Sequence, residues 1–142
     1  MIRGMIVATA LVFCAGLAQA DDIGDRQAAM KAMGKALKPV AGMVKGEVKF
    51  DAAVVKASMK SIADNATKSL KLYAPGTSKG KTAALPAVWE KKADFDAIFK
   101  SLAAASTAAG AKVTNLASLK ANFGGVAKNC GACHKDYRAK KK

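Results

Sequence analysis

Histidine is nearly absent from this chain: its 142 residues include one His, 3 Cys and only 10 Asp and Glu, against 24 Lys and Arg. One histidine excludes a metal centre built from several imidazoles. No paired carboxylates stand out near it, so there is no catalytic constellation and we expect no enzymatic turnover. Three cysteines, two of them close together, exclude the disulfide framework on which small exported domains depend.

Long apolar runs are also missing, with one exception near the N-terminus. A basic start at Arg3 leads into the apolar run from Met5 to Leu17, and residues 18–20 (Ala-Gln-Ala) have the small-x-small pattern of a signal-peptidase site. The run is shorter than the roughly 20 residues that span a bilayer, and no later run is long enough, so we expect no membrane anchor. Bulky Phe13 disfavours lipid attachment at Cys14. The sequence therefore predicts a cleaved signal peptide at residues 1–20, a mature domain at residues 21–142 and a periplasmic location.

Apolar residues recur at helical spacing in four segments, and no stretch shows sustained period-two alternation. The first helix is predicted to run from an N-cap at Asp22 to about Val44, with a bend at Pro39. The second begins after an N-cap at Asp51 and ends near Leu70. A long connection rich in Gly, Pro and Lys follows, and its length makes it a candidate functional loop.

Two further helices are predicted in the second half of the chain. One runs from Pro86 to Gly110. The other runs from near Thr114 or Asn115 to Tyr137, with the most regular apolar stripe in the sequence. Mostly short links between four amphipathic helices favour an all-α fold, an antiparallel up-down-up-down four-helix bundle.

The last predicted helix contains the motif Cys130-Gly131-Ala132-Cys133-His134. Cysteines three residues apart lie about one turn apart on one helix face, the spacing needed to bond the two vinyl groups of a haem. The histidine directly after the second cysteine then reaches the iron, and the small residues between the cysteines keep the approach to the porphyrin open. We therefore expect one covalent haem c, attached through Cys130 and Cys133, with His134 as an iron ligand.

Three other uses of the cysteine pair fit the chain less well. A structural zinc site needs four ligands, and no other Cys or His remains beside Cys130, Cys133 and His134 once Cys14 leaves with the signal peptide. A thioredoxin-like pair places its first cysteine at a helix N-terminus, whereas Cys130 is predicted about four turns into a helix. A disulfide between residues three apart in one helix would close a small, strained loop. The spacing thus favours haem attachment.

The start of the first helix, the end of the second and the start of the third are expected at the same pole as the end of the fourth. Groups that reach the other face of the haem should therefore come from early in the first helix, from around Leu70 and Tyr73, or from around Trp89. Met30 is about two turns inside the first helix, a depth similar to that of His134 from its own end, and thioether sulfur is an established haem ligand. Met33, one turn deeper, is a competitor. A methionine at helical spacing is more often a core residue, which would leave Met30 packed beside the haem without a bond.

Four further side chains are candidate haem-binding residues. Arg26 is expected near a haem propionate and Arg138 over the proximal side, with a solvated side chain as the alternative for each. Trp89 and Tyr137 are expected, together with Phe95, in the apolar wall of the site.

Residues 21–142 as a whole resemble a class II cytochrome c, the cytochrome c-prime family. The resemblance depends on residues 26–30 (Arg-Gln-Ala-Ala-Met), 73–77 (Tyr-Ala-Pro-Gly-Thr) and 86–89 (Pro-Ala-Val-Trp), and on the haem motif followed by Tyr137 and Arg138. In the c-prime branch the position of Met30 is usually apolar, and five-coordinate iron binds nitric oxide or carbon monoxide. In the low-spin branch methionine is the sixth ligand and the protein transfers electrons. Many c-prime proteins dimerise through their first two helices.

The resulting hypothesis is a periplasmic monohaem cytochrome, ligated by His134 and Met30, that carries single electrons. Alternatives are a five-coordinate protein that binds nitric oxide or carbon monoxide and, more remotely, a structural helical protein with an incidental motif. The net charge of +14 comes mostly from scattered lysines, which predicts a solvated basic surface and docking to a redox partner with an acidic face. Export and the scarcity of arginine argue against a nucleic-acid partner. A homodimer through the first two helices is the other interaction that the resemblance implies.

Overall fold

The computed structural model describes the backbone of residues 15–140 and the side chains from Asp22 to Lys140. The start of the predicted signal peptide, with Cys14, and the last two lysines lie outside the described residues. The helices are α1 Ala15–Lys45, α2 Ala52–Ser69, α3 Ala87–Glu90, α4 Lys92–Lys112 and α5 Leu116–Tyr137. In the described part of the chain, β-type pairing is limited to one isolated bridge. None of these helices combines the length and apolarity that a bilayer crossing requires.

The beginnings of α2 and α5 are where the sequence predicts them. The carboxylate of Asp51 caps α2 by accepting a hydrogen bond from the Val54 amide at 3.0 Å. Asn115 caps α5 by accepting from the Ser118 amide at 2.9 Å, and the Ser118 hydroxyl in turn accepts from the Asn115 amide at 3.1 Å. Such reciprocal caps satisfy amides that have no partner inside the helix, so both boundaries are encoded locally.

The predicted start of the first helix is wrong in this structure. Helix α1 begins at Ala15 and runs through Asp22, which is therefore not an N-cap. Residues 15–20 are mostly Ala, Leu and Gln, which favour helix and extend it while they remain attached. Pro39 lies inside α1 without ending it, as predicted.

The predicted third helix is also wrong as a single element, because it is divided into α3 and α4 at Lys91. The backbone there departs from helical geometry, with φ −117° and ψ 46°. The Trp89 indole donates to the carbonyl of Ala74 at 3.0 Å, which holds α3 against the α2–α3 connection. Helix α4 continues past Gly110, where a Cβ would lie 3.3 Å from the Cβ of Met59 and glycine allows α2 and α4 to approach closely.

The four long helices form a closed ring of neighbours. Helix α1 packs on α2, α2 on α4 and α4 on α5, whereas α5 and α1 meet only sparsely. Neighbours that follow one another in the chain define the up-down-up-down bundle that was predicted. The interior is filled by fully buried side chains from all four helices, among them Val40, Met59, Ile62, Leu119 and Val126.

One pole of the bundle is packed with aromatic rings. Phe95 stands edge-on to Tyr73, Phe99 and Tyr137, with ring centroids 4.7, 5.0 and 5.1 Å away. Edge-to-face contacts add stability beyond the area that they bury. These contacts connect the residues after α2, the start of α4 and the end of α5. They lie at the pole where α1 and α5 have few contacts with each other.

Candidate haem site

A cavity of about 660 Å³ lies at this pole, with walls from α1, α4, α5 and the connection before α3. Its volume falls in the range of about 300–1,000 Å³ that small-molecule and cofactor sites occupy. The walls are largely apolar, and they include Met30, Met33, Leu37, Phe95, Phe99, Leu102, Cys130, Cys133, His134 and Tyr137.

The two cysteines of the motif line this cavity from the α5 wall. Both are partly buried and unpaired, and the Cys130 thiol lies 3.8 Å from the carbonyl of Val126. Burial, with a further contribution from neighbouring Cys130, raises the pKa of Cys133 to about 11, and burial also raises the pKa of Cys130. Reactive redox cysteines have lowered pKa values, so these thiols do not have the character of a thioredoxin-like pair. No group of three or more His, Cys, Asp or Glu in the described chain is arranged to hold a metal ion.

His134 follows on the same wall, at an exposed part of α5. A guanidinium nitrogen of Arg138 lies 3.3 Å from its Nδ1. Because a guanidinium only donates, Nδ1 accepts in this contact and Nε2 carries the proton of the neutral ring; binding of iron at Nε2 would need the tautomer protonated on Nδ1 and would replace this contact. Burial and the positive charge of Arg138 lower the pKa of His134, which keeps the ring in the neutral form that binds metals.

Met30 reaches the cavity from the α1 wall, together with Met33. Met33 is 9% exposed and belongs to the core cluster, whereas Met30 is partly buried and packs against the edge of that cluster. The structure thus brings both candidate sixth ligands to the cavity that holds His134, and Met30 is the more accessible of the two.

Arg26 has a role that the sequence did not predict. Its side chain is 3% exposed and lines the cavity. Its Nε donates to the carbonyl of Leu72 at 2.5 Å, one terminal nitrogen donates to the carbonyl of Thr77 at 2.9 Å, and the other bonds the Thr77 hydroxyl. The guanidinium also lies 4.6 Å from the centre of the Tyr73 ring. Arg26 therefore ties the α2–α3 connection to α1, and nothing in the sequence of that connection indicated this anchor.

Trp89 does not line the cavity, contrary to the expectation that it forms part of the haem wall. It packs outside Tyr73, at 6.2 Å between ring centroids, and borders a separate recess of about 270 Å³. Tyr73 forms the cavity wall at this point, because the hydrogen bond of the indole to the Ala74 carbonyl holds Trp89 on the outer side. Tyr137 and Phe95 do line the cavity, as expected.

The end of α5 is clamped by the loop before α3. The amide of Leu85 donates to the carbonyl of Tyr137 at 2.9 Å, and the amide of Ala139 donates to the carbonyl of Ala83 at 2.8 Å. These bonds frame the isolated bridge between Ala84 and Arg138. The long connection was a candidate functional loop by its length, and its last residues do line the cavity, but its pairing with the C-terminal segment had no sequence signal.

The charges of the cavity lining have one sign. Arg26, Lys31 and Arg138 contribute to the walls, and no Asp or Glu does so among the described residues. Cations without carboxylates favour an anionic ligand. A haem has an apolar ring and two propionates, so a cavity with apolar walls, a pair of thiols, an adjacent imidazole and these cations fits a covalently attached haem.

A haem-attachment motif that lines such a cavity in an all-α bundle defines a c-type cytochrome of the helical-bundle class. The family described as Cytochrome C' matches residues 21–138. A cytochrome c' from Rhodopseudomonas palustris is 55% identical over 127 residues, which cover 88% of this chain and 86% of that protein. A cytochrome c-556 from the same organism is 34% identical over 148 residues, 99% of either chain. The solved structure of cytochrome c' from Rhodopseudomonas palustris superposes with a TM-score of 0.82 at 53% identity, over 86% of this chain and 98% of that one.

The chain belongs to the cytochrome c' family, and its cofactor is one covalently bound haem c. Its relatives include both cytochromes c' and cytochromes c-556. Family membership alone therefore does not define the ligands of the iron, and the residues of the site have to be considered.

Proposed function

We propose that this chain is a periplasmic one-electron carrier, with haem attached through Cys130 and Cys133 and iron held between His134 and Met30. The observation that carries the proposal is that the Met30 thioether and the His134 imidazole line the same cavity from two different helices. A bound haem supplies a reversible one-electron couple at its iron, and methionine opposite histidine raises its potential.

The protein's own residues hold and shield that group. Thioether bonds from Cys130 and Cys133 would hold the porphyrin against α5, where His134, the next residue, lines the same cavity. Met30 projects from α1 and His134 from α5, so the bundle would supply one iron ligand from each of two helices. A site whose ligands stay in place in both oxidation states reorganises little, which favours fast electron transfer. The site supplies no second histidine and no carboxylate, and we propose no enzymatic turnover.

A second candidate function is the reversible binding of nitric oxide or carbon monoxide at a five-coordinate iron. The comparisons favour this candidate, because the relative at 55% identity is a cytochrome c', whereas the cytochrome c-556 is 34% identical. Here Met30 would pack beside the haem without bonding, and the other haem-binding residues would keep the same roles.

Absorption spectra of the ferrous protein with and without carbon monoxide separate the two functions. A His134/Met30 pair gives sharp low-spin bands that the gas leaves unchanged, whereas a broad Soret band that shifts with the gas would contradict the electron-carrier proposal. In a Met30→Leu variant we expect five-coordinate iron that binds carbon monoxide. Met33→Leu, one turn deeper in the same wall, is the matched control and retains the wild-type spectrum. If only Met33→Leu changes it, Met33 is the ligand.

The location and processing of the chain are part of the proposal. The family match begins at residue 21, which supports cleavage after Ala20. Mass spectrometry of the protein exported from a host with cytochrome maturation should give the mass of residues 21–142 plus one haem. An unmodified polypeptide would contradict attachment at Cys130 and Cys133.

Two partners remain proposals: an acidic redox protein and a second copy of the chain. Among the described residues the exposed large hydrophobic side chains are Val48 and Val54, both close to the turn between α1 and α2. Their position supports contact through the first two helices, and sedimentation equilibrium of the holoprotein distinguishes a monomer from a dimer.

A further inference from the structure

Three stretches of the chain that border the haem cavity contain no acidic residues. Residues 26–45 of α1, residues 71–89 before and within α3, and residues 116–135 of α5 include lysines and arginine but no Asp or Glu. Each of these segments contributes to the cavity walls. The acidic residues are placed elsewhere, mainly at the start of α1, near the α1–α2 turn, on α2 and at the start of α4. These three stretches are therefore basic throughout, whereas Asp96 on α4 and Asp136 on α5 are next to residues that line the cavity.

Four exposed lysines lie on α1 and on the loop beside it, and we call Lys31, Lys38, Lys79 and Lys81 the cationic rim. Lys31 lines the cavity, and Lys38 lies two turns further along the same face of α1. The backbone of Lys81 is next to them, because its carbonyl accepts a hydrogen bond from the Gln27 side chain at 3.0 Å. No rim lysine forms an ion pair with a described residue, whereas several lysines on α2 and α4 do.

The loop that carries Lys79 and Lys81 is pinned to α1 at the residue between them. Gly80 has φ +128°, and a Cβ there would lie 2.6 Å from Cδ1 of Ile23. Only glycine permits this backbone conformation and this close approach together. The loop backbone that carries both lysines is thus held against α1, and Thr82, the residue after Lys81, lines the cavity.

We propose that the cationic rim is the surface on which an acidic protein partner docks to exchange electrons with the haem, an inference that depends on the proposed electron-carrier function. On docking, a reduced partner gives up one electron and the ferric iron of this chain becomes ferrous, or an oxidised partner takes the electron back. Unpaired lysines around a cofactor raise the local positive potential, which speeds and orients the approach of an acidic surface.

A protein surface fits the rim better than a membrane. Membrane-surface binding combines basic side chains with apolar groups that enter the lipid. The exposed large hydrophobic residues of the described chain, Val48 and Val54, lie close to the α1–α2 turn, away from Lys31 and the loop lysines. The cationic rim can therefore bind a partner through its positive charge, without exposed apolar side chains that would enter a lipid bilayer.

Two double variants of equal charge test the proposal on the holoprotein. Lys31→Glu/Lys81→Glu reverses two rim charges, and Lys56→Glu/Lys100→Glu reverses two exposed, unpaired lysines of α2 and α4 that do not line the cavity. Binding to carboxymethyl resin is measured by the salt concentration of elution, and electron exchange is measured on a carboxylate-terminated gold electrode. We expect the rim variant to elute at clearly lower salt than the control, and its exchange rate at low ionic strength to fall by about tenfold.

Equal elution and equal exchange rates for the two variants would overturn the proposal. Binding of the wild type to phosphatidylglycerol vesicles at physiological salt, lost only in the rim variant, would also overturn it in favour of a membrane. The Soret spectrum is recorded for every variant. An altered wild-type coordination contradicts the His134/Met30 proposal, whereas the elution difference tests the rim whatever the coordination.

Discussion

Replacing Arg26 by methionine tests whether one buried cation holds the α2–α3 connection against the bundle. Methionine keeps the apolar stem of the side chain and removes the guanidinium. The carbonyls of Leu72 and Thr77 and the Thr77 hydroxyl then lose their donor. The ring faces of Tyr73 and Trp89 lose a cation at 4.6 and 5.4 Å.

The expected loss of stability follows from these contacts. Hydrogen bonds from a charged donor contribute about 1.5–3 kcal/mol each, and a buried acceptor left unpaired costs about 1–3 kcal/mol. The variant also regains some stability, because the native guanidinium loses its hydration when it is buried and methionine does not. The same loss of hydration lowers the pKa of Arg26. We expect Arg26→Met to lower the free energy of unfolding by about 3–5 kcal/mol, the range found when one partner of a buried charged contact is removed.

Urea unfolding of the holoprotein, followed by far-ultraviolet circular dichroism, measures this loss. Arg26→Lys keeps the charge without the planar fork, so it should fall between wild type and Arg26→Met and remain folded. Thr77→Val removes one acceptor, and Thr77→Ser is its matched control because serine retains the hydroxyl. The double-mutant cycle between Arg26→Lys and Thr77→Val should give a coupling of about 0.5–3 kcal/mol.

Two outcomes would refute the reasoning. A loss below about 1 kcal/mol for Arg26→Met would mean that water or other groups replace the guanidinium at no cost. Additive effects of the two substitutions would mean that the hydrogen bond between Arg26 and the Thr77 hydroxyl contributes nothing.

Two further predictions follow from buried polar groups. Ser106 has a fully buried hydroxyl without a hydrogen-bond partner in the described chain, so Ser106→Ala should raise the urea midpoint or leave it unchanged, whereas Ser69→Ala, which removes a 2.8 Å bond to the Asn65 carbonyl, should lower it. Burial raises the pKa of Tyr73 from 10.0 to about 12, so the neutral phenol stabilises the fold below pH 10 and that contribution is lost as the pH rises to 12. Tyr73→Phe should lose less stability than wild type over this interval in urea titrations, and identical losses would contradict the assignment.

The helices that could be predicted well are those whose limits are specified by residues close by in the sequence. Helix α5 has a capping residue at Asn115, an unbroken apolar stripe and a motif whose spacing matches the helical turn, so its limits and the placement of Cys130 and Cys133 on the cavity wall could be predicted. The same holds for α2 after Asp51. In both cases the signal lies within a few residues of the feature that it specifies.

The features that escaped prediction depend on contacts between distant segments. No glycine or proline in the sequence indicates the break at Lys91. The break accompanies the hydrogen bond from the Trp89 indole to the carbonyl of Ala74. Arg26 bonds to Leu72 and Thr77, which lie 46 and 51 positions further along the chain. Its partners there are two backbone carbonyls and a hydroxyl. Backbone carbonyls are present at every residue, so no sequence pattern identifies which of them a distant arginine will bond.

Position 30 separates the chemistry of the site from the stability of the fold. Val40, Met43 and Met59 are almost fully buried, whereas Met30 is only partly buried and lines the cavity. Replacing Met30 by another apolar residue of similar size therefore removes little that holds the helices together, since volume-conserving apolar exchanges usually cost less than about 1.5 kcal/mol. Under the coordination proposed above, the same exchange removes the sixth ligand of the iron. A bundle built in this way can serve an electron carrier or a gas-binding protein at nearly equal stability, which is why its fold and overall identity are weaker guides to its function than this one side chain.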